Sequence, residues 1–413
     1  MGSVARDPPT VQLIISHYHN SLLINFIIFA DLIKLNIVSM IPRILQEELL
    51  KSLRPGYVTG LFGARRTGKT FLMEQIRTRI DDNKILVVQG DNLDVAEILS
   101  SRRLSVLKQF VAGYDYLFID EAQKIPDIGI NLKLIVDNIP GLAVFVTGSS
   151  AFDLKNKIGE PLTGRNKYFY LYPIAQLELG EDYLTSKENL ESRLIYGSYP
   201  QVIMASTENE RRDLLESVKN GVLLKDILEL DNLKDSLFIL GLLRLIAFQI
   251  GNDVSSTELA TRLGVSKNTI TRYLDLLEKC YILFSIPGFS RNLRKEISKS
   301  RRYFFWDNGI RNVLISNFNR LALRDDVGRL WENFCISERL KKNQYSGNHG
   351  NYYFWRTYDQ KEIDLIEEEG GMLRGFEFKW TEKAVKPPKE FLNTYQGSSF
   401  HLVHKENYLE FVR

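Results

Sequence analysis

Short apolar runs alternate with segments of helical periodicity through the first 150 residues of the chain. Four of these runs have the length of buried strands, at residues 57–62, 84–88, 116–119 and 142–146. The segments between them are predicted as helices, at residues 70–80 and 92–112. Because strands alternate with helices, the pattern predicts an α/β fold in which a parallel sheet carries helices on both faces.

The first apolar run leads directly into a glycine-rich loop with the pattern G-x-x-x-x-G-K-[ST]. The loop consists of Gly63, Ala64, Arg65, Arg66, Thr67, Gly68, Lys69 and Thr70. A strand, this loop and a helix in succession are the context in which the pattern binds nucleoside triphosphates. The two glycines let the backbone curl around the β-phosphate. Lys69 reaches the β- and γ-phosphates, and Thr70 offers its hydroxyl to Mg²⁺. The alternative is a chance glycine turn.

The third apolar run ends in two carboxylates, Asp120 and Glu121. A buried parallel strand has this pattern when its carboxyl end faces a ligand. We expect Asp120 to hold Mg²⁺ and Glu121 to orient and polarise the attacking water. A strand that merely ends in exposed acids is the alternative.

Polar residues also follow the fourth run, and two of them are candidates for sensing the γ-phosphate. These candidates are Thr147 and Ser149. The alternative is that they belong to an ordinary turn, in which the same residue types are common. Arg165 lies just before an aromatic run at residues 168–172. It is a candidate for stabilising charge during phosphoryl transfer, either within its own chain or from a neighbouring subunit, with a structural ion pair as the alternative.

The composition is that of an ordinary soluble globular protein, with 25% charged and 44% apolar residues. The length of 413 residues predicts roughly two to four domains. A net charge of +3 is too small to indicate a partner. Cys280 and Cys335 lack the spacing of a zinc site or disulfide framework, which fits a cytoplasmic protein.

Residues 11–39 are rich in Leu, Ile and Phe. Their densest apolar piece, residues 22–30, contains Asn25 and is shorter than the roughly 20 residues that a membrane span requires. We therefore expect either a packed helix or sequence that lies upstream of the working domain.

Residues 256–283 have the pattern of a helix-turn-helix, with Gly264 in the turn. The exposed face of the second helix presents residue types that contact phosphates and base edges: Lys267, Asn268, Thr271 and Arg272. A basic stripe follows, consisting of Arg291, Arg294, Lys295, Lys299, Arg301 and Arg302. Together they predict DNA binding. The alternatives are a packing or protein-contact module and a solvated charge run.

The last third of the chain carries a second set of chemical groups. Asp364 lies on one predicted strand, and Glu377 and Lys379 lie two residues apart on the next, where they share one face. Glu332 lies on a helix predicted upstream. This arrangement resembles the PD-(D/E)xK nuclease fold. The resemblance implies that Asp364 and Glu377 bind metal, that Lys379 is the catalytic lysine, that Glu332 is an accessory carboxylate and that Gln360 positions substrate.

The nucleotide motifs also resemble those of a prokaryotic AAA+ ATPase family of poorly known role. The matching pieces are the glycine loop, Asp-Glu-Ala-Gln at 120–123, Thr-Gly-Ser-Ser at 147–150, Gly-Arg at 164–165, Tyr-Gly-Ser-Tyr-Pro at 196–200 and Lys-Asp-Ile at 225–227. The resemblance covers residues 40–405 and departs from the family pattern at Ser198, where glycine is expected. It implies ATP, rather than GTP, as the nucleotide. A homo-oligomer or a protein partner is compatible with it.

The sequence therefore predicts a P-loop NTPase core followed by a helical and winged-helix region and a nuclease-like α/β domain. The expected divisions are residues 1–39, 40–180, 181–250, 251–302 and 303–413. The first hypothesis for function is an ATPase whose hydrolysis is coupled to DNA binding and metal-dependent DNA cleavage. The second is a nucleotide-gated switch that binds DNA or protein through an inert nuclease-like domain.

Overall fold

The first sheet of the protein contains five parallel strands. In the computed structural model, which describes residues 41–149, 162, 164–223, 236–290, 301–357, 361–383 and 385–413, these strands alternate with helices. The strands are β1 (Val58–Phe62), β2 (Ile85–Gln89), β3 (Tyr116–Asp120), β4 (Ala143–Gly148) and β5 (Asn166–Tyr170). Their order in the sheet is β2-β3-β4-β1-β5. Because all of the pairings are parallel, the carboxyl ends of β1, β3 and β4 meet at one edge.

Helices pack on both faces of this sheet. One face carries α1 (Leu45–Ser52) and α2 (Lys69–Arg77), and the other carries α3 (Leu93–Leu99), α4 (Leu104–Phe110) and α5 (Ile128–Asn138). Successive strand residues face opposite sides, so Phe118 packs with the first pair of helices while Leu117 and Ile119 pack with the second set. The predicted α/β fold with a helix-flanked parallel sheet is confirmed.

The single helix predicted at residues 92–112 is wrong, because two helices, α3 and α4, occupy this segment. The chain turns between them at Arg102, which has a left-handed φ of 55° that an α-helix does not accommodate. The backbone N–H of Arg102 donates to Asn131 Oδ1 on α5 at 2.9 Å. A tertiary hydrogen bond therefore ends the helical run where the local pattern would continue it.

Helices make up most of the next described segment. They are α6 (Tyr183–Tyr196), α7 (Pro200–Met204), α8 (Glu208–Val218), a short π-helix (Lys219–Leu223) and α9 (Ser236–Phe248). Gly197 ends α6 with a φ of 74°, and a Cβ there would lie 2.1 Å from the Asp307 carboxylate. That carboxylate also accepts a hydrogen bond from the N–H of Ser198 at 2.6 Å. A glycine is therefore required at the end of α6.

Two helices and a small antiparallel sheet follow. The helices α10 (Ser256–Leu263) and α11 (Lys267–Lys279) are joined by a turn in which Gly264 has a φ of 67°. The sheet has the order β6-β8-β7, with β6 (Asp253–Val254), β7 (Leu283–Pro287) and β8 (Arg301–Phe305). Strand β8 crosses the division expected between residues 302 and 303.

The C-terminal region contains a four-stranded sheet packed against a long helix. The helices are α12 (Asn308–Leu314), α13 (Val327–Tyr345), α14 (Lys389–Thr394) and α15 (Tyr408–Val412). The strands are β9 (Asn351–Arg356), β10 (Glu362–Glu369), β11 (Met372–Phe378) and β12 (Ser399–Val403), in the order β12-β11-β10-β9. Only β11 and β12 pair in parallel.

One hydrophobic cluster connects the middle and C-terminal regions. It begins with Tyr172, which follows β5, and continues through α6, α9, α11, β8 and α13 to Val412. Tyr172 stacks on Trp306 with ring centroids 4.2 Å apart. The helical region, the small sheet and the C-terminal sheet therefore share a core, and that core reaches the edge of the first sheet.

Candidate functional site

The glycine loop lies between β1 and α2, as the sequence predicts. Gly68 precedes α2 with a left-handed φ of 98°. Gly63 has a φ of 153°, and a Cβ there would lie 2.1 Å from the carbonyl oxygen of Leu171. A side chain is disfavoured at Gly68 by its backbone conformation and excluded at Gly63 by the packing of another backbone segment. The loop therefore presents its backbone at the amino end of a helix, where the helix dipole favours anions.

Lys69 lies folded over this loop. The side chain is buried, and its Nζ donates to the carbonyl oxygens of Gly63 at 2.8 Å and Ala64 at 2.9 Å. Thr67 is also buried, and its hydroxyl donates to the same Ala64 carbonyl at 2.8 Å. The ammonium group is therefore held at the loop by weak neutral acceptors, which a polyphosphate would outcompete.

The loop and the acidic strand end are in direct contact. The hydroxyl of Thr70 donates to Asp120 Oδ2 at 2.8 Å, and Asp120 is 3% exposed. A hydroxyl and a carboxylate that already touch are oxygen ligands of the kind that Mg²⁺ prefers, so these two residues fit the ion.

Thr147 bonds to the acidic pair rather than facing the loop. Its hydroxyl donates to Asp120 Oδ1 and accepts from the backbone N–H of Glu121 at 3.1 Å. Ser149 is buried and accepts from Gln123 Nε2 at 3.1 Å. The structure therefore brings both predicted sensing residues to the carboxyl end of β3, where Thr147 is hydrogen-bonded to both Asp120 and Glu121.

Glu121 lies at a strained position beside a cavity. Its φ is 53°, and its carboxylate accepts a short hydrogen bond from Gln123 Nε2. A Cβ at Gly90 would lie 2.4 Å from the Glu121 carbonyl oxygen, so β2 approaches closely here. The cavity has a volume of about 500 Å³ and is lined by Arg65, Gly90, Asp91, Leu93, Ala96, Glu121 and Lys124. The Glu121 side chain thus has access to space for a ligand and its water.

Two arginines connect the loop to distant parts of the chain. Arg66 donates to Ser217 Oγ on α8 at 2.9 Å. Arg43, which sequence reasoning missed, precedes α1 and donates to the Thr67 carbonyl oxygen at 2.7 Å. No local pattern marks Arg43, because its partners are remote in sequence.

Arg165 lies away from the loop. It precedes β5, and β5 pairs in parallel with β1 from Val58 and Asn166 onward. The amino ends of these strands, and Arg165 with them, therefore lie at the opposite edge of the sheet from the loop. There Arg165 forms an ion pair with Asp137. The predicted role within its own chain does not fit this placement, and the structural ion pair that the sequence left open does.

The predicted DNA-contact residues lie on the solvent side of α11. Lys267, Asn268, Thr271 and Arg272 are exposed, and the opposite side of the helix buries Ile270, Tyr273, Leu274 and Leu277. Ser266 caps the helix by accepting from the N–H of Thr269 at 3.1 Å. The exposed side is therefore available for a partner.

Only two residues of the basic stripe lie within the described part of the chain, and one of them does not face solvent. Arg291, Arg294, Lys295 and Lys299 lie outside the described residues. Arg301 is exposed and donates to Ser285 Oγ at 2.9 Å. Arg302 is 4% exposed and pairs with Asp253 at 3.2 Å and Glu362 at 2.9 Å. The expectation that Arg302 follows a nucleic-acid backbone is therefore wrong.

Four of the five residues predicted for the C-terminal site are described, and they come from neighbouring elements. Asp364 on β10 lies one residue beyond the Leu365–Phe376 pair, which places it beside Glu377 on β11. Asp364 Oδ2 accepts from the Phe378 N–H at 2.9 Å, and Lys379 Nζ donates to Glu377 Oε1 at 2.6 Å. Gln360 lies outside the described residues.

Electrostatics show that these carboxylates crowd one another. Burial, and then the charge of Glu377, raise the pKa of Asp364 to about 7. Burial and the charge of Asp364 raise the pKa of Glu332 well above its usual value. Burial lowers the pKa of Lys379, but its hydrogen bond to Glu377 and the charge of that carboxylate outweigh this effect, so the net pKa is raised. Lys379 therefore remains a cation at neutral pH.

Two carboxylate oxygens of this site lack hydrogen-bond donors. Oε1 of Glu332 and Oε2 of Glu377 are buried and accept no hydrogen bond. Buried carboxylate oxygens without donors are costly, and a divalent ion would satisfy them. As the described side chains stand, however, no group of three or more His, Cys, Asp or Glu residues converges closely enough to hold a metal. A Cβ at Gly251 would lie 2.9 Å from Glu332 Oε2, so Glu332 lies against the segment before β6.

Within the described ranges, no helix is both long and apolar enough to cross a membrane.

Three family models match successive parts of the chain. Residues 56–180 match an AAA domain, residues 187–321 match a domain of unknown function (DUF8612) and residues 327–409 match another domain of unknown function (DUF4143). The first match spans the glycine loop and the acidic strand end.

Two curated relatives and one solved structure illustrate what the chain is similar to. An uncharacterized protein of Mycobacterium tuberculosis is 26% identical over 340 residues, which is 81% of this chain and 72% of the relative. An uncharacterized protein of Methanocaldococcus jannaschii is 22% identical over 425 residues, 94% of each chain. The crystal structure of Cdc6p from Pyrobaculum aerophilum overlaps with a TM-score of 0.26 at 16% identity, covering 68% of this chain and 96% of that one. The AAA match and the loop geometry together support a nucleotide-binding domain of the ATPase type at residues 56–180.

Proposed function

We propose that the protein is an ATP-hydrolysing AAA+ ATPase that uses Mg²⁺. The observation that carries this proposal is the contact of Thr70 with Asp120, next to a loop in which Lys69 is already held. These groups come from two separate motifs 50 residues apart, and hydrolysis of a nucleoside triphosphate needs them together. A chance glycine turn and a chance acidic strand end would have no reason to meet.

Each of the loop residues has a distinct part in binding. The backbone N–H groups of residues 63–70 and the amino end of α2 would hold the phosphates. Lys69 would leave the carbonyl oxygens of Gly63 and Ala64 for the β- and γ-phosphates. Thr70 and Asp120 would hold Mg²⁺, which neutralises phosphate charge when bound.

Glu121 would orient the attacking water and polarise it. Its backbone N–H donates to the Thr147 hydroxyl. Its carboxylate accepts a hydrogen bond from Gln123 Nε2, which also donates to Ser149. A γ-phosphate that engages Ser149 would disturb this contact and free Glu121 to hold water. Thr147 therefore supports Glu121, while Ser149 remains the candidate that senses the γ-phosphate.

The test is Mg²⁺-dependent release of phosphate from ATP, measured with and without double- and single-stranded DNA. We expect turnover that depends on Mg²⁺ and increases with DNA. Absence of both ATP binding and turnover would overturn the proposal. GTP in a parallel measurement decides which nucleotide is preferred.

DNA is the proposed partner, and α10, α11 and the small sheet are the proposed winged-helix module. The exposed side of α11 combines two cations with hydroxyl and amide groups, which suits phosphates and base edges. In this proposal the ATPase domain is residues 40–180, and the division after the module follows the end of β8 at Phe305 rather than residue 302. We propose a cytoplasmic location.

A second activity, metal-dependent cleavage of DNA, is favoured by one specific observation. Two buried carboxylate oxygens, on Glu332 and Glu377, lack donors beside Asp364 and the charged Lys379. The resemblance to PD-(D/E)xK nucleases assigns these residues to metal binding and to activation of water. Attack of that water on phosphorus would form one P–O bond and break another in the DNA backbone, and the leaving oxygen would take up a proton.

Cleavage is tested with labelled DNA in Mg²⁺ or Mn²⁺, with and without ATP, using the parent and a Lys379→Ala variant. Lys383→Ala is the matched control, because Lys383 is exposed on the same segment. Loss of cutting in Lys379→Ala alone would support the nuclease. Intact ATP hydrolysis without any cutting would favour a nucleotide-gated switch, in which the C-terminal region binds DNA or protein.

A further inference from the structure

Arg43 joins the phosphate-binding loop to three other parts of the chain. Its side chain is buried, and one terminal nitrogen donates to the Thr67 carbonyl oxygen at 2.7 Å. The other donates to the Tyr172 carbonyl oxygen at 2.7 Å and to the Tyr345 hydroxyl at 3.3 Å. Nε donates to Glu178 Oε1 at 2.9 Å. A planar guanidinium with several fixed partners has little freedom, so it holds the loop in one position.

The contact with Thr67 fixes the direction of a phosphate-binding group. A trans peptide points its carbonyl and its N–H in opposite directions, so a carbonyl held on one side aims the next N–H to the other. The next N–H belongs to Gly68, in the part of the loop that curls around the phosphates. Arg43 therefore orients a donor that it does not itself touch.

Glu178 keeps Arg43 in place. Its side chain has no exposed surface, and it also accepts from the N–H groups of Ile44 at 3.1 Å and Ala175 at 3.0 Å. The Glu178 carboxylate therefore has its hydrogen-bonding capacity satisfied by Arg43 and two backbone N–H groups. The Arg43–Glu178 ion pair therefore fixes the segment before α1 against the segment after β5.

Tyr345 brings the C-terminal region into the same network. It is the last residue of α13, and its hydroxyl accepts from the Tyr172 N–H at 3.1 Å as well as from Arg43. Glu338, two turns earlier on α13, accepts from the Gln176 N–H. Helix α13 thus touches the segment after β5 at two places, and Glu332 lies nearer its other end, about 20 Å from Tyr345 along the axis.

We infer that Arg43 is a positioning residue for the phosphate-binding loop and that Tyr345 completes its hold, so that nucleotide affinity depends on the placement of helix α13. This inference rests on the proposed nucleotide binding. Arg43 lies outside the matched AAA domain, and Tyr345 lies in the DUF4143 match. The loop is therefore held, directly by Arg43 and indirectly by Tyr345, by residues that lie on either side of the AAA match along the chain. By thermodynamic reciprocity, nucleotide binding must in turn alter the stability of the last turn of α13.

The test removes one hydroxyl. In Tyr345→Phe, ATP and ADP should bind in the presence of Mg²⁺ roughly five- to tenfold more weakly, as expected for the loss of one buried hydrogen-bonding group. Tyr352→Phe is the matched control, because the Tyr352 hydroxyl accepts from Asn343 on the same helix at 2.8 Å and does not touch the loop. Calorimetry gives the affinities, and thermal unfolding without nucleotide shows whether the two variants lose equal stability.

Hydrogen exchange distinguishes a link between Tyr345 and nucleotide binding from a role of Tyr345 in stability alone. In the parent, ADP with Mg²⁺ should slow amide exchange in the last turn of α13, and Tyr345→Phe should abolish this change while Tyr352→Phe keeps it. Equal affinities and equal exchange in the two variants would overturn the inference. If the parent binds no nucleotide, or if the Lys69→Ala variant binds nucleotide as tightly as the parent, the proposed function itself is overturned. Arg43→Lys, which keeps the charge but loses the fork, should weaken binding more than Tyr345→Phe.

Discussion

The hydroxyl of Thr70 donates to the carboxylate of Asp120 at 2.8 Å, which joins the phosphate-binding loop to the end of the third strand. Strand β4 lies between β1 and β3 in the sheet, so this contact crosses from one motif to the other over the end of β4. Thr147 at that end completes the bridge by donating to the other oxygen of Asp120. The two hydroxyls and the carboxylate are thus joined by hydrogen bonds at the proposed Mg²⁺-ATP site.

Lys69→Ala is expected to weaken ATP binding by at least about 100-fold, because a buried cation that pairs with phosphate is lost. Lys84→Ala is the control, since Lys84 is exposed before β2 at the opposite edge of the sheet and pairs with Asp115 at 3.6 Å. Calorimetric titration with ATP and Mg²⁺ measures both. Unchanged affinity in Lys69→Ala would contradict the assignment of the loop.

Glu121→Gln should keep ATP affinity within about threefold and reduce turnover by at least about 100-fold, because the amide cannot polarise water. Phosphate release under saturating ATP measures turnover, and equilibrium titration measures affinity. Asp115→Asn removes a carboxylate from the amino side of the same strand and should leave both quantities unchanged. Full turnover in Glu121→Gln would remove this residue from the mechanism.

The C-terminal carboxylates should make the protein less stable as pH rises. The pKa of Asp364 is raised by burial and by Glu377 to about 7, above its unfolded value of 3.8, so the folded state binds its proton more tightly. Its contribution to stability is therefore fully present below about pH 4 and is lost as pH rises toward about 7. Glu332 acts in the same direction.

Urea unfolding of the parent and of Asp364→Asn at pH 5 and pH 7.5 measures this effect. The difference between the two proteins should change between these pH values by on the order of 1–3 kcal/mol, with the variant gaining at pH 7.5. Mn²⁺ or Mg²⁺ should recover stability at pH 7.5 in the parent alone. A pH-independent difference would show that Asp364 is ionised throughout this range.

Reversing two charges on α11, in Lys267→Glu with Arg272→Glu, should weaken DNA binding by about tenfold or more at moderate salt. The slope of log affinity against log salt should also become shallower, because fewer counterions are released. Arg262→Glu is the control, since Arg262 lies on α10 and pairs there with Glu258 at 2.8 Å. Fluorescence anisotropy with labelled duplex measures each protein over a salt series. Equal binding by all three would return α11 to a packing role.

Local sequence patterns predict the parts of the protein whose structure depends on local chemistry. The loop glycines, the apolar strands and the acids that end β3 all follow from neighbouring residues, and the parallel sheet brings them together. The two apolar sides of α10 and α11 likewise follow from helical spacing. The fold of the first sheet was therefore predictable, and so was the expectation that Thr70 and Asp120 serve the same ion, which their contact supports.

The failures concern residues whose partners lie far away in sequence. Arg102 breaks a helix because Asn131 accepts from its backbone, and Arg302 is buried because Asp253 and Glu362 pair with it. Arg43 has partners up to 302 positions distant. Nothing in the neighbourhood of such residues distinguishes an arginine that binds DNA from one that holds the core together.

The cluster that begins at Tyr172 and ends at Val412 has a consequence for how such a gene can be rearranged. The AAA, DUF8612 and DUF4143 matches follow one another along the chain, but the second and third supply side chains to a single interior. A cut between residues 321 and 327 would divide this cluster, leaving its members in α9 and α12 on one fragment and those in α13, such as Trp331 and Phe334, on the other. Recombination is therefore expected to transfer these two regions as one heritable unit, while exchange at this seam would yield fragments that aggregate.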